Sequence, residues 1–205
     1  MTTTTLNAIR AESPCKDGWE KLLKSLGKTE ADYEPLELET ILASNGIVDA
    51  VWCLHALPEE YHPRIRLFAC DLAEHVLKIW VNTYPEDNRP AEAIRVSRAY
   101  ARGEATREEL EAAKRAAAAA AAAAAEDSVW AARRGAARRA SVWAAALSAG
   151  TASVLAALST TSAAGVAKAA SGCARGAAAR ASVGTELKFQ KKLFIKYFGK
   201  DNNHV

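Results

Sequence analysis

The 205-residue sequence is poor in the side chains that usually carry chemistry. Methionine occurs once, histidine and cysteine four times each, and aromatic residues make up 7 %. No phosphate-binding loop, glycine-rich dinucleotide fingerprint, H-E-x-x-H or G-x-S-x-G occurs anywhere in it, so none of the site designs built on those motifs is supported. Cys15, Cys53, Cys70 and Cys173 include no C-x-x-C pair, and Met1 is followed by four threonines rather than by a secretory leader. They read as reduced cytosolic thiols. Cys15, Cys53 and Cys70 lie among apolar neighbours at helical spacing, where cysteine behaves as a small buried hydrophobe rather than a metal ligand. His55, His62, His75 and His204 show no i, i+4 pairing with one another or with a cysteine. No metal, cofactor or catalytic residue is assigned, and the expectation is a protein that is not an enzyme.

What the sequence has in abundance is alanine, with ten in a row at 116–125. Alanine has the highest helix propensity and loses no rotamer freedom on folding, so such a run is helical. A methyl group buries little apolar area, however, and helices of this kind depend on close neighbours or on a partner. Function is therefore expected on helix surfaces rather than in a pocket.

Punctuation divides the chain into helices. Ser13 and Pro14 fit the N-cap and first position of a helix carrying Cys15, Trp19, Leu22, Leu23 and Leu26, which Gly27 ends. A second helix is expected from Pro35 to the stop at Asn45-Gly46, and a third carries Val48, Val51, Trp52 and Leu54 up to Pro58. A fourth begins near Pro63, a loop covers 84–89, and Pro90 opens a fifth that Gly103 closes. Thr106 and Glu109 match a capping box for a long helix entering the polyalanine. A turn is expected at Glu126-Asp127-Ser128, since Asp and Ser favour N-caps and an antiparallel return gives a compact hairpin, with one continuous helix to Gly150 as the alternative. A further helix follows Gly150, a glycine-rich break lies at Gly172 and Gly176, and the last helix starts near Thr185. The fold class is all-α: a multi-helix bundle with a small N-terminal helical layer, residues 1–58, and an alanine-rich bundle with a long helical hairpin, residues 59–205.

From Ala140 to Ala167 there are 28 residues without a charge. That length could span a membrane, but alanine, serine, threonine and glycine dilute its few strongly apolar residues, and a buried bundle helix is the expectation. A weak repeat places Ser-Val-Trp-Ala-Ala at 128 and at 141. The spacing of 13 is not a whole number of helical turns, so Trp130 and Trp143 do not share a face of one straight helix.

The net charge of +3 conceals an asymmetry: residues 1–110 hold 13 basic against 19 acidic side chains, and residues 111–205 hold 14 against 5. The simplest reading is that the acidic front complements the basic back within one fold; the alternative is a basic surface for an acidic partner. Arg134 and Arg138 are i, i+4 neighbours, and with Arg133 and Arg139 they form a fork-rich patch suited to carboxylate or phosphate. In the final helix Lys188, Lys191, Lys192 and Lys196 alternate with Phe189, Leu193, Phe194, Tyr197 and Phe198, which places aromatics on the core and lysines in water. Asp71, Glu74 and His75 share one helix and read as a solvated face.

Two blocks carry a resemblance. Residues 5–58, with Thr5-Leu-Asn-Ala-Ile-Arg, Gly18-Trp-Glu-Lys-Leu-Leu and Ile41-Leu-Ala-Ser-Asn-Gly, resemble an N-terminal segment of small phage and prophage proteins. Residues 64–198, with Arg66-Leu-Phe-Ala-Cys-Asp-Leu-Ala-Glu, Arg89-Pro-Ala-Glu-Ala-Ile and Ala101-Arg-Gly-Glu, resemble the immunity protein five-like family. Members of that family often carry histidines in the alanine-rich helices, whereas this chain has none between His75 and His204. The resemblance implies an all-helical, non-catalytic cytoplasmic protein from a mobile element. Its expected role is to bind and block a protein partner. That partner is a host defence complex such as a CRISPR effector, in the manner of an anti-CRISPR protein, or alternatively a bacterial toxin; direct nucleic-acid binding by the basic half is a third reading. Partner binding is assigned to Arg133, Arg134, Arg138, Arg139, Trp130 and Trp143, and a homodimer is compatible with the alanine-rich faces.

Overall fold

In the computed structural model, residues 2–133 and 183–199 are described. They are almost wholly helical, in agreement with the all-α expectation: α1 (Leu6–Ala11), α2 (Lys16–Leu26), α3 (Leu38–Asn45), α4 (Ile47–Trp52), α5 (His62–Thr83), α6 (Arg89–Ala101), α7 (Arg107–Arg133) and α8 (Val183–Phe198). Two short 3-10 turns, Cys53–Ala56 and Glu59–Tyr61, join α4 to α5.

The N-terminus departs from the sequence reading. The threonines are structural: Thr3–Thr4 (β1) pairs antiparallel with Leu36–Glu37 (β2), Thr3 opposite Glu37 and Thr4 opposite Leu36. Thr4 Oγ1 donates to Ala56 O at 2.8 Å, and Thr5 caps α1 by accepting from the Ala8 amide at 3.1 Å. The strand pairing delays α3 from Pro35 to Leu38. Ser13 does not cap α2, because its φ of 57° places it in the closing turn of α1, with its amide donating to Arg10 O at 3.1 Å. A capping residue needs extended backbone, and Cys15, at φ −64° and ψ 145°, takes that position.

Elsewhere the stops fall where glycine permits them. Gly27 ends α2 in the left-handed region at φ 66°, a conformation that costs a residue with a Cβ roughly 1–2 kcal/mol. The capping box opening α7 is complete: the Thr106 amide donates to Glu109 Oε2 at 2.7 Å and the Glu109 amide to Thr106 Oγ1 at 3.2 Å.

The turn expected at Glu126-Asp127-Ser128 is not made; α7 runs through it to Arg133. A helix already propagating through ten alanines adds one hydrogen bond per residue, and an interior Asp or Ser costs only about 0.5–0.7 kcal/mol relative to alanine. The 27 residues of α7 extend for about 40 Å.

One hydrophobic core gathers residues from Leu6 to Phe198. At its centre Phe68 of α5, fully buried, meets Phe194, Tyr197 and Phe198 of α8 edge-on, with centroids at 6.0, 5.8 and 5.5 Å. Such pairs contribute about 0.5–1.5 kcal/mol each beyond area burial. The lysines Lys188, Lys191, Lys192 and Lys196 are exposed on the outer side of α8, as its spacing requires. Farther along α5, Trp80 packs on Ala120 of α7 and donates Nε1–H to Asp87 O at 2.9 Å, which ties the α5–α6 loop. The small side chain of Ala120 leaves room for that ring.

Candidate functional site

Two arrangements stand out among the described residues. The first is an ion cluster where α5, α6 and α8 meet. Asp71 and Glu74, three apart on α5, lie on one side of the helix. Arg98 of α6 donates from Nη2 to Asp71 Oδ1 at 2.7 Å and to Glu74 Oε2 at 2.6 Å, and from Nη1 to Glu74 Oε1 at 3.1 Å. Tyr197 of α8 donates its hydroxyl to Asp71 Oδ2 at 2.8 Å, with Lys196 Nζ 3.5 Å from the same oxygen.

Carboxylates and cations in this cluster are matched to one another. The hydrogen bonds from Arg98 hold the Glu74 carboxyl below its ordinary range, and the same carboxylates raise Arg98. Burial, then the hydrogen bond to Asp71, pushes the Tyr197 phenol up. Glu74 and His75 are exposed, as a solvated face requires, and Asp71 is half-buried; beyond that reading, the two carboxylates also form an inter-helix clamp, and the His75 ring stacks on Phe189 with centroids 3.7 Å apart. Their partners come from α6 and α8, which spacing within α5 does not reveal. The contact of Lys196 with Asp71 joins the basic back of the chain to its acidic front.

Beside this junction Arg66 is 4 % exposed, with its guanidinium 5.1 Å from the centre of the Tyr100 ring. Burial lowers its basicity. Cys70 is buried and its thiol is pushed up by that burial, and Cys53 behaves likewise. Both fit the reading of small buried hydrophobes. Cys15 does not: it is exposed, because it is the N-cap of α2 and stands at the rim of a cavity.

That cavity, of about 270 Å³, is the second arrangement. It lies between α2, α3 and α4 and is lined by Trp19, Ile41, Asn45, Val48, Asp49 and Trp52 among others. Asn45 Nδ2 donates to Gly18 O at 2.8 Å and to Asp49 Oδ2 at 2.9 Å, pinning α2 to the α3–α4 corner. Helical spacing puts Trp19 and Trp52 on core faces and signals no pocket. Both rings are partly buried and pack on the core, but the i, i+4 pair Asn45 and Asp49, carried across the Gly46 break, was the one local sign of a polar group directed at them.

Of the residues assigned to partner binding, Trp130 and Arg133 fall in the last turns of α7, whose backbone alone is described there. Arg134, Arg138, Arg139 and Trp143 lie outside the described residues, as do Cys173, the uncharged 140–167 window and the glycine-rich break. Among the described residues no helix is long and apolar enough to cross a membrane, and no group of three or more His, Cys, Asp or Glu could hold a metal ion.

Comparison with curated proteins gives no match, and comparison with solved structures gives none. A family model described as "Imm-5 like putative immunity protein" matches residues 55–170. The matched segment contains α5, α6 and α7, and with them Asp71, Glu74 and Arg98. It covers more than half of the chain, and the protein accordingly belongs to the Imm-5 like immunity-protein family.

Proposed function

We propose that the protein is a non-catalytic neutraliser that binds a protein toxin and blocks it by occupying its surface. The observation that carries this reading is the family match over residues 55–170. Two structural features support it. The Arg98 junction satisfies its charges internally and serves to lock α5, α6 and α8 into one rigid scaffold. Along α7, Ala117 and Ala120 face inward while Ala118, Ala119, Ala122 and Ala123 are exposed, leaving a methyl-lined side where a partner's backbone can approach closely. Arg133, the last residue of α7, and Arg134, Arg138 and Arg139, which follow it in sequence, are assigned in this proposal as polar contacts for that partner.

Counter-defence of the anti-CRISPR kind shares this mode of action and differs in the partner. The discriminating experiment expresses the protein in two sets of bacterial strains, one set dying from each of a panel of protein toxins, the other restricting phage through a CRISPR effector. Rescue of growth in the first, with restriction intact in the second, is the expected outcome. Loss of restriction with no rescue would replace the toxin by the effector as partner. Location in the cytoplasm belongs to the same proposal.

A further inference from the structure

The cavity between α2, α3 and α4 holds a carboxylate with no cation on it. Asp49 accepts one hydrogen bond, from Asn45 Nδ2 at 2.9 Å, and among the described residues it makes no ion pair. It is the one charged side chain in the lining. The lining thiol of Cys53 is pushed up to about 12, by burial first and by Asp49 second, and so stays neutral. Trp19 and Trp52 supply two indoles, the rings that attract cations most strongly, and Ile41 and Val48 supply aliphatic wall. Gly18 keeps the approach to the carboxylate open, since a Cβ there would lie 3.1 Å from Asp49 Oδ2 and 3.1 Å from Cys15 Sγ. The acidic excess of residues 1–110, 19 carboxylates against 13 basic groups, adds a field of the right sign.

A volume of about 270 Å³ is just below the range of roughly 300–1,000 Å³ typical of sites for drug-sized ligands, and suits a fragment or a single long side chain. We propose that this cavity is a binding site for one organic cation, a guanidinium or protonated amine on a short apolar stem, whose head is taken by Asp49 and whose stem lies against Trp19 and Trp52. An arginine side chain of another protein and a free alkylguanidine present the same chemistry. The site is lined entirely by residues preceding Leu54, outside the family-matched segment, and stands apart from the neutralisation reading.

The test uses the full chain and three probes: butylguanidinium, its neutral isostere butylurea, and the capped peptide acetyl-Gly-Arg-Gly-amide. Binding is followed by saturation-transfer NMR and calorimetric titration on the unaltered protein and on Asp49→Asn and Asp49→Glu. Butylguanidinium is expected to bind, with affinity about 10- to 100-fold weaker in Asp49→Asn, the worth of a charge-assisted hydrogen bond, and retained in Asp49→Glu. Butylurea should bind both the unaltered protein and Asp49→Asn equally weakly. Binding of the peptide assigns the site to a protein side chain, and binding of butylguanidinium alone assigns it to a free small ligand. Equal affinity of butylguanidinium and butylurea for the unaltered protein, or no binding of either cationic probe, would overturn the proposal. That comparison decides the matter even where Asp49→Asn lowers the melting temperature.

Discussion

The Tyr197 hydroxyl lies 2.8 Å from Asp71 Oδ2 across a sequence separation of 126 residues. With Arg98 on the other oxygen at 2.7 Å, Asp71 is held from α6 and α8 at once. This carboxylate is the polar counterpart of the aromatic contact between Phe68 and Phe194, and together they fix the last helix to the middle of the chain.

Removing Arg98 should loosen that junction. Its side chain is 24 % exposed and Asp71 22 %, so part of the interaction is screened by solvent. Arg98→Ala is expected to cost about 1–3 kcal/mol, with Arg98→Lys recovering only part because an ammonium lacks the planar fork. Urea unfolding of the two variants checks this. A loss below roughly 0.5 kcal/mol, the ordinary scatter of surface substitutions, would show that the clamp does not hold the helices.

This cluster and the Arg89–Asp87 ion pair at the start of α6 set a pH dependence with two arms. Glu74 is lowered from its ordinary 4.5 by Arg98, and Asp87 from 3.8 by Arg89. Stability from these groups is present above those ordinary values and is lost as pH falls through the lower folded values. Tyr197 is raised above its ordinary 10.0 by burial and by Asp71, so its contribution is present below pH 10 and is lost as pH rises beyond it. Glu74→Gln should flatten the acid arm of a melting-temperature profile. Tyr197→Phe should lower stability near neutrality by about 0.5–1.5 kcal/mol and flatten the alkaline arm.

Alanine in α7 is required at some positions and free at others. Ala120 is 1 % exposed against Trp80, and Ala120→Leu is expected to cost about 1–3 kcal/mol through overpacking. Ala119, one residue earlier and exposed, should accept leucine within about 0.5 kcal/mol. Equal effects at the two positions in urea unfolding would contradict the packing described for this helix.

Gly199 closes α8 at a close approach. A Cβ there would lie 2.6 Å from Ile195 O and would run into the Glu39 carboxylate of α3. Gly199→Ala should therefore lower the melting temperature, and Gly199→Ala with Glu39→Ala should recover part of the loss. Absence of any recovery would assign the strain to the α8 backbone alone.

Most of the helical order was legible because it is written in local chemistry. Pro63 and Pro90 sit in the first turns of α5 and α6, Gly27, Gly46 and Gly103 follow helix ends, and Thr106 with Glu109 close a capping box. What local chemistry does not contain was missed. Thr3–Thr4 forms a strand only because Leu36–Glu37 is beside it. Ser13 looks like a cap but belongs to the preceding turn. Glu126-Asp127-Ser128 reads as a stop, yet the alanines before it carry the helix through. The same limit applies to the sites: Asp71 and Glu74 gain meaning from Arg98, 27 and 24 residues away, and Asp49 faces Trp19 and Trp52 only after three helices pack. A run of alanine supplies no such pairwise signal, so the partner surface has to be found by experiment.

Stoichiometric occupation of another protein is the essence of the proposed function. The most direct measurement titrates purified protein into a fixed amount of a toxin from which it rescues growth while the toxin's activity is followed. Inhibition that ends sharply at one fixed molar ratio, with a complex of the same ratio on a sizing column, is the result expected. Complete inhibition at a small fraction of one equivalent, growing with incubation time, would mean turnover and would contradict it.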